Sequence, residues 1–264
     1  MAKYGLLGRH IDYSFSRGFF NDKFAREQRS DVYVNLDFPH LEDFTSWFKN
    51  QNELQGFNVT IPYKETIMSY LDELDPIAAA IGAVNTVVIR SKDTTNQSIK
   101  GYNTDYLGFH QSLEHWGLSD LNKALVLGTG GAAKAVVYAL QTKGFDILQL
   151  TRKAQKQDKL ANASLDGSKH QLIAYDQLTV KDMQKYRLIV NCTPVGTFPS
   201  VDQAPELPYD ALGPEHFLYD LIYNPEETEF LKRGREAGAK IKNGYQMLVL
   251  QALAAWELWQ NSDV

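Results

Sequence analysis

Residues 124–133 read Ala-Leu-Val-Leu-Gly-Thr-Gly-Gly-Ala-Ala, an apolar run that ends on a glycine turn. The spacing is Gly128-x-Gly130-x-x-Ala133, and a second apolar stretch, Ala135 to Leu140, follows at once. A strand running through such a turn into a helix leaves bare backbone N–H groups at the helix N-terminus, whose partial positive charge holds a pyrophosphate. Gly128 permits the tight turn, Gly130 lets phosphate approach the backbone, and small Ala133 lets helix pack on strand. The turn Gly128, Thr129, Gly130, Gly131 and Ala132 thus points to a dinucleotide. Such turns also serve ordinary strand–helix connections, and it is the strand–turn–helix context that favours the nucleotide.

The end of the next strand, expected over residues 147–150, says which dinucleotide. A free ribose 2′-hydroxyl usually meets an acidic residue there, about 20 residues past the glycines. Here the strand runs into Thr151, Arg152 and Lys153, with Lys156 just beyond; Asp146 lies at the wrong end and Asp158 comes too late. A hydroxyl and two or three cations suit a 2′-phosphate, so the cofactor reads as NADP(H) rather than NAD(H). The competing reading is a solvated basic turn.

A second set of residues carries the other half of such chemistry. Four segments set polar groups beside Gly or Pro: Ser14-Phe-Ser16, Gly56-Phe-Asn-Val-Thr-Ile-Pro-Tyr-Lys64, Gly82-Ala-Val-Asn-Thr86 and Gly101-Tyr-Asn-Thr-Asp105. Each falls at the end of an expected strand or the start of an expected helix. In an open α/β sheet, ligands bind at the carboxyl ends of the strands. Together these edges would form a polar pocket for a hydroxylated, anionic small molecule. Hydride delivered to a ketone leaves an alkoxide, which needs a proton donor and nearby positive charge. Lys64 can supply both, and Asp105 can orient it. In isolation, Lys64 reads as a solvated first-turn lysine and Asp105 as a helix cap.

The elements that must position these groups alternate. Strands are expected over 3–7, 32–36, 56–60, 84–90 and 98–102, the last two forming a hairpin around 91–97. Helices are expected over 14–28, 41–50 and 62–74. From Thr104 a helix over 105–116 leads into the glycine unit, then come strands over 188–192, 217–222 and 240–242. Helices over 179–185 and 227–237 and a last helix from 245 to about 260 complete the set, with 200–215 an exposed loop. Alternating β and α elements predict open, largely parallel sheets covered on both faces.

The whole chain narrows the function class. Its 264 residues suit one large or two ordinary domains. The net charge of −5 without a basic stripe argues against nucleic acid. A single cysteine, Cys192, excludes an internal disulfide and agrees with a reducing, cytoplasmic setting. No apolar stretch approaches the ~20 residues that span a bilayer. The six histidines show no metal-ligand spacing, so no metal is expected, and His110 and His115 read as surface or helix-packing residues.

Taken jointly, these motifs resemble the shikimate dehydrogenase family nearly end to end. Gly56-x-Asn58-Val59-Thr60-x-Pro62-x-Lys64 is similar to its lysine motif, and Gly101-Tyr-Asn-Thr-Asp105 to the segment with its catalytic aspartate. Asn191-Cys-Thr-Pro-Val-Gly196, Asp220-Leu-Ile-Tyr-Asn-Pro225 and Gly244-Tyr-Gln-Met-Leu-Val-Leu-Gln251 resemble its later motifs. The resemblance implies NADP-dependent reduction of 3-dehydroshikimate to shikimate, with Lys64 and Asp105 catalytic. It implies that Ser14 and Ser16 hold the substrate carboxylate, and that Thr60, Asn85, Asp105, Tyr223 and Gln251 contact the substrate. Thr193, Ile222 and Gly244 would lie beside the cofactor. The implied fold is α/β with two domains: an open α/β substrate domain (1–103 and 243–264) and a Rossmann-type doubly wound domain (104–242), the last helix rejoining the first domain. A monomer or homodimer is expected.

Some positions depart from the family pattern. His10, Tyr13 and Arg17 stand where Pro, His and Pro are common, and Thr151 and Lys153 flank Arg152 where Asn and Thr are usual. The alternatives are an NAD-preferring quinate/shikimate dehydrogenase and a non-catalytic NADP(H)-binding regulatory module.

Overall fold

The structure is a computed structural model that describes residues 1–12, 14–91, 97–152 and 168–261. The chain divides into two compact units: Met1–Thr104 with Gln251–Val264, and Asp105–Leu250.

The first unit runs β1 (Lys3–Gly8), α1 (Phe15–Arg26), β2 (Val32–Asp37), α2 (Leu41–Phe48), β3 (Leu54–Val59), β4 (Glu73–Leu74), α3 (Pro76–Ile81), β5 (Thr86–Ser91) and β6 (Gln97–Tyr102). Its sheet has the order β2-β1-β3-β5-β6-β4. β1 pairs parallel with β2 and β3, whereas β5 pairs antiparallel with both β3 and β6. The sheet is therefore mixed rather than largely parallel, because a hairpin inserted into it brings antiparallel ladders with it. Adjacent residues of β5 face opposite ways: Val87 packs with Leu7, Phe44 and Phe57, Val88 with Tyr4, Phe20, Trp256 and Trp259.

The helix expected over 62–74 does not form. Residues 61–65 make turns, Thr66–Tyr70 is a single 3-10 stretch, and Glu73–Leu74 joins the sheet beside β6. The Lys64 carbonyl accepts from Val84 N–H at 2.8 Å instead of from a residue four further on. Tyr63 is buried, and its hydroxyl donates to the Phe38 carbonyl at 2.7 Å. Tertiary partners thus claim the groups a helix would have used. The short helix α3 has a local signature in the sequence: Asp75 accepts from Ile77 N–H at 2.9 Å, Pro76 opens the helix and Gly82 closes it.

The second unit's elements follow from α4 (Thr104–Ser112), which opens at the boundary: β7 (Lys123–Leu127), α5 (Gly131–Thr142), β8 (Asp146–Thr151), β9 (His170–Ala174), α6 (Val180–Lys185), β10 (Leu188–Asn191), β11 (Phe217–Asp220), α7 (Glu229–Glu236) and β12 (Lys240–Lys242). α8 (Tyr245–Gln260) crosses to the first unit at Gln251. The sheet order is β12-β11-β10-β7-β8-β9, every neighbouring pair parallel. The chain starts at β7, winds outward through β8 and β9, then returns to wind the other way from β10. This doubly wound pattern places a topological switch point between β7 and β10, where such sheets bind ligands. Strand β9 was missed by the sequence reading. Residues 200–215 are less exposed than expected, since Ala204, Leu207, Tyr209, Ala211 and Leu212 pack against the core that Leu148, Leu218 and Phe230 help form.

The return of α8 explains a motif glycine. Trp259 donates through its indole N–H to the Val87 carbonyl at 3.0 Å. A Cβ on Gly56 would stand 2.3 Å from that same indole nitrogen and 2.8 Å from the Val87 oxygen. Gly56 is thus required by helix packing.

Candidate active site and dinucleotide site

In the first unit the polar segments at the strand ends converge into one buried hydrogen-bonded chain. Ser16, on α1, lies beside the phenol of Tyr33 on β2 and opposes the rise that burial gives its pKa. Tyr33 donates to Asn58 Oδ1 at 2.8 Å. Asn58 donates to Thr86 Oγ1 at 3.0 Å and to the Asn85 carbonyl at 3.2 Å. Asn85 accepts from Thr104 N–H at 2.6 Å and donates to Gln251 Oε1 at 3.3 Å, across 166 residues of sequence. All seven residues are buried. Three of the expected substrate residues, Ser16, Asn85 and Gln251, are thereby brought together, while Tyr33, Asn58, Thr86 and Thr104 were not singled out. Asn58, Thr86 and Thr104 lay inside quoted segments, and their signal was a polar residue at the buried end of a strand. Tyr33 had none, because an aromatic in a strand reads as core.

Ser14 caps α1, its hydroxyl accepting from Arg17 N–H at 3.3 Å, which leaves the hydroxyl proton as a donor. The loop before it is clipped to β2: Asp37 accepts from His10 and Ile11 N–H at 3.0 and 2.9 Å, and Asn35 donates to the Ile11 carbonyl at 2.7 Å. Of the departures there, Arg17 is exposed and donates to the Asp12 carbonyl at 3.1 Å, so its cation serves its own loop. His10 is exposed, and Tyr13 lies outside the described residues. Thr60 and Lys64 sit on the turns after β3, with Thr60 N–H donating to the Leu7 carbonyl at 2.8 Å. Both are half-buried.

In the second unit Asp105 is a buried residue of the first turn of α4, not its cap. The glycine turn fits a pyrophosphate. Gly128 has φ +102°, a region that disfavours side chains, and a Cβ there would meet Thr193 Cγ2 at 3.2 Å. A Cβ on Gly130 would find nothing within 4 Å, and no side chain caps α5 at this end. Open space thus fronts the N–H groups of a 12-residue helix. The turn is pinned from behind: Gln149 donates to the Gly128 carbonyl at 2.7 Å, and His170 Nε2 to Gln149 Oε1 at 2.8 Å. Burial lowers the His170 pKa, which favours the neutral ring. A lone Gln in the apolar run 147–150 was the unused signal for this support. Thr151 ends β8 and Arg152 follows it, exposed; Lys153 lies outside the described residues.

The loops after β10 and β11 share one anchor. Asp220, buried, accepts from Asn191 at 3.1 Å, Ile222 N–H at 3.0 Å and Thr228 at 2.6 Å. Asn191 Oδ1 in turn accepts from Thr193 N–H at 3.0 Å and from its hydroxyl at 2.7 Å. Gly244 N–H donates to the Ile222 carbonyl at 3.0 Å. Thr193, Ile222 and Gly244 are thereby held in register; Tyr223, next to Ile222, is half-buried. Among the described residues, no group of three His, Cys, Asp or Glu is placed to hold a metal ion, and no helix is long and apolar enough to cross a membrane.

Residues 6–87 match the family model of the shikimate dehydrogenase substrate binding domain. The chain is 39% identical over 263 residues to the shikimate dehydrogenase (NADP(+)) of Desulforamulus reducens, covering 97% of this chain and 88% of that one. A shikimate dehydrogenase solved in complex with NADP+ superposes with a TM-score of 0.86 at 33% identity, covering 98% of this chain and 90% of that one. The shikimate 5-dehydrogenase of Thermus thermophilus, solved with NADP(H) and shikimate, gives a TM-score of 0.83 at 32% identity over 98% of this chain and 93% of its own.

Proposed function

The chain belongs to the shikimate dehydrogenase family, and from that premise we propose that it catalyses the reversible NADP-dependent reduction of 3-dehydroshikimate to shikimate, in the pathway to chorismate and the aromatic amino acids. The observation that carries the reading is the buried hydrogen bond between Asn85 and Gln251. It joins two of the proposed substrate residues from distant parts of the sequence in one buried polar frame.

When bound, NADP(H) supplies or removes the hydride. The N–H groups behind Gly130 would hold its pyrophosphate, and the cationic sequence Thr151-Arg152-Lys153 would hold its 2′-phosphate. Reduction leaves negative charge on the substrate oxygen. The Lys64 ammonium neutralises that charge and gives up a proton to it. Asp105 is the carboxylate that orients Lys64 and takes a hydrogen bond from a substrate hydroxyl. Ser14 and Ser16 hold the substrate carboxylate, and Thr60, Asn85, Tyr223 and Gln251 complete the substrate contacts. In this reading residues 1–103 with 243–264 bind substrate and residues 104–242 bind NADP. A cytoplasmic monomer or homodimer without a nucleic-acid partner belongs to the same proposal.

The test is nicotinamide reduction with shikimate, run in parallel with NADP+ and NAD+, in wild-type protein and Lys64→Ala. Turnover with NADP+ is expected, and Lys64→Ala should lower kcat by about 10²–10⁴-fold with NADP+ affinity unchanged. Near-normal turnover of the variant removes Lys64 from the mechanism. Faster reaction with NAD+, or with quinate, makes the chain the NAD-preferring relative instead, and tight NADP+ binding without turnover makes it a regulatory module.

A further inference from the structure

Gly128 enters the nucleotide turn at φ +102°. A glycine restrains its own backbone little, so the residue leaves open which way the Gly128–Thr129 peptide faces. A trans peptide points its C=O and its N–H to opposite sides. One orientation offers the Thr129 N–H to a ligand in front of the turn, and the other offers the Gly128 oxygen. Toward a pyrophosphate the first attracts and the second repels.

Strand β8 settles the orientation. The Leu150 carbonyl accepts from Gly128 N–H at 2.9 Å, and the neighbouring Gln149 donates from Nε2 to the Gly128 carbonyl at 2.7 Å. Both backbone groups of Gly128 are thus held by adjacent residues of one strand. The carbonyl can only accept, so Gln149 must turn Nε2 toward it and Oε1 away. Oε1 lies 2.8 Å from His170 Nε2 on β9, which must therefore carry the ring proton. A flipped carboxamide would set Oε1 against the Gly128 oxygen and Nε2 against the ring N–H, a repulsive pair at each end of a buried side chain. Thr129, on the far side of the locked peptide, is exposed.

We propose that Gln149, itself oriented by His170, is a positioning residue for the cofactor: it locks the Gly128–Thr129 peptide with nitrogen rather than oxygen toward the pyrophosphate. This rests on the reading that the glycine turn holds the NADP(H) pyrophosphate. The same strand ends at Thr151 with Arg152 beyond, so β8 both sets the pyrophosphate contact and carries the proposed 2′-phosphate contact. Loss of the lock acts on the first and spares the second.

The test is calorimetric titration of the full chain with NADP+ and with adenosine 2′-monophosphate, which lacks the pyrophosphate. Gln149→Met keeps the length of the side chain and removes the donor. It should raise the Kd of NADP+ about tenfold and leave that of adenosine 2′-monophosphate within about twofold, with the KM for shikimate unchanged. His170→Phe releases the far end of the carboxamide and should shift the NADP+ Kd the same way by a smaller factor; it carries the comparison if Gln149→Met does not fold. Gln149→Glu sets an acceptor where the Gly128 carbonyl needs a donor. Its NADP+ Kd should exceed that of Gln149→Met at pH 8, and the excess should shrink as pH falls and the new carboxyl takes up a proton. An unchanged NADP+ Kd in folded Gln149→Met, or an equal rise for both ligands, overturns the proposal. Gly130→Asp separates the two readings, because Asp is a favoured helix cap and its carboxylate fills the open space before the α5 N–H groups. If it leaves the NADP+ Kd unchanged, the pyrophosphate reading fails; if it raises the Kd while Gln149→Met does not, only the positioning role fails.

Discussion

The two units support their proposed ligand residues with buried polar networks of opposite kinds. In the first, Tyr33, Asn58, Thr86, Thr104, Asn85 and Gln251 are linked through hydroxyls, carboxamides and backbone groups. In the second, Asn191, Ile222 N–H and Thr228 converge on one carboxylate, Asp220. Neutral groups specify orientation through donor and acceptor matching, and nothing in that chain titrates near neutrality. A carboxylate gathers three donors at a single point, which ties two loops together with few residues, at the cost of burying a charge. Burial pushes the Asp220 pKa up to about 7, although the bonds from Thr228, Ile222 and Asn191 each oppose the shift. The difference teaches that the substrate frame is built for direction and the cofactor frame for convergence.

Removing the carboxylate gives the largest expected effect. Asp220→Ala leaves three buried donors without an acceptor and should lower stability by ~3 kcal/mol or more, read as the shift in a denaturation midpoint. It should also weaken NADP+ binding, since Thr193 and Ile222 lose their common anchor.

Asp220→Asn asks whether the charge itself matters. The unfolded carboxyl titrates near 3.8 and the folded one near 7. The folded state therefore holds a proton that the unfolded state has released between roughly pH 4 and 7, and wild-type stability falls as pH rises through that window. The Asn variant, free of that penalty, should gain relative to wild type at pH 8 by an amount on the order of a few kcal/mol, and gain nothing near pH 4. A variant less stable than wild type at every pH would show that the three donors outweigh burial. Cys192 and Tyr209 lie close enough to feel the charge, and their own pKa values are raised chiefly by burial, so neither shares the transition near neutrality.

Smaller effects separate the units further. Arg152→Ala should raise the KM for NADP+ about tenfold, ~1.4 kcal/mol, and leave shikimate KM alone; an unchanged NADP+ KM returns Arg152 to a solvated basic turn. Trp259→Phe removes the donor to the buried Val87 carbonyl and should lower stability by ~1–2 kcal/mol without altering NADP+ affinity. Calorimetry and nucleotide titration together check both halves of that statement.

Local signals in the chain were sufficient for most of the doubly wound unit, with strand β9 the exception. The glycine turn, the apolar runs of β7, β10 and β11, and the cations after β8 each act through near neighbours, and a motif of neighbours is legible without a fold. The hairpin of β5 and β6 was legible for the same reason. The failures have a common cause. Residues 62–74 looked helical, but the Lys64 carbonyl found Val84, twenty positions away, and Glu73–Leu74 found β6. Strand β9 has weak alternation and exists because β8 offers it a ladder.

By itself, the sequence determined the alternation of elements, the nucleotide turn, and, through motifs in a known order, the family and most residues proposed to touch a ligand. Only the tertiary structure decided which polar groups stand behind them: Tyr33 and Asn58, Thr86, Gln149, and the Asp220 anchor. The reason is physical. A hydrogen bond is directional and short, so whether a buried polar side chain orients a neighbour depends on what comes within about 3 Å of it, and one partner of Asn85 is a glutamine 166 positions further along.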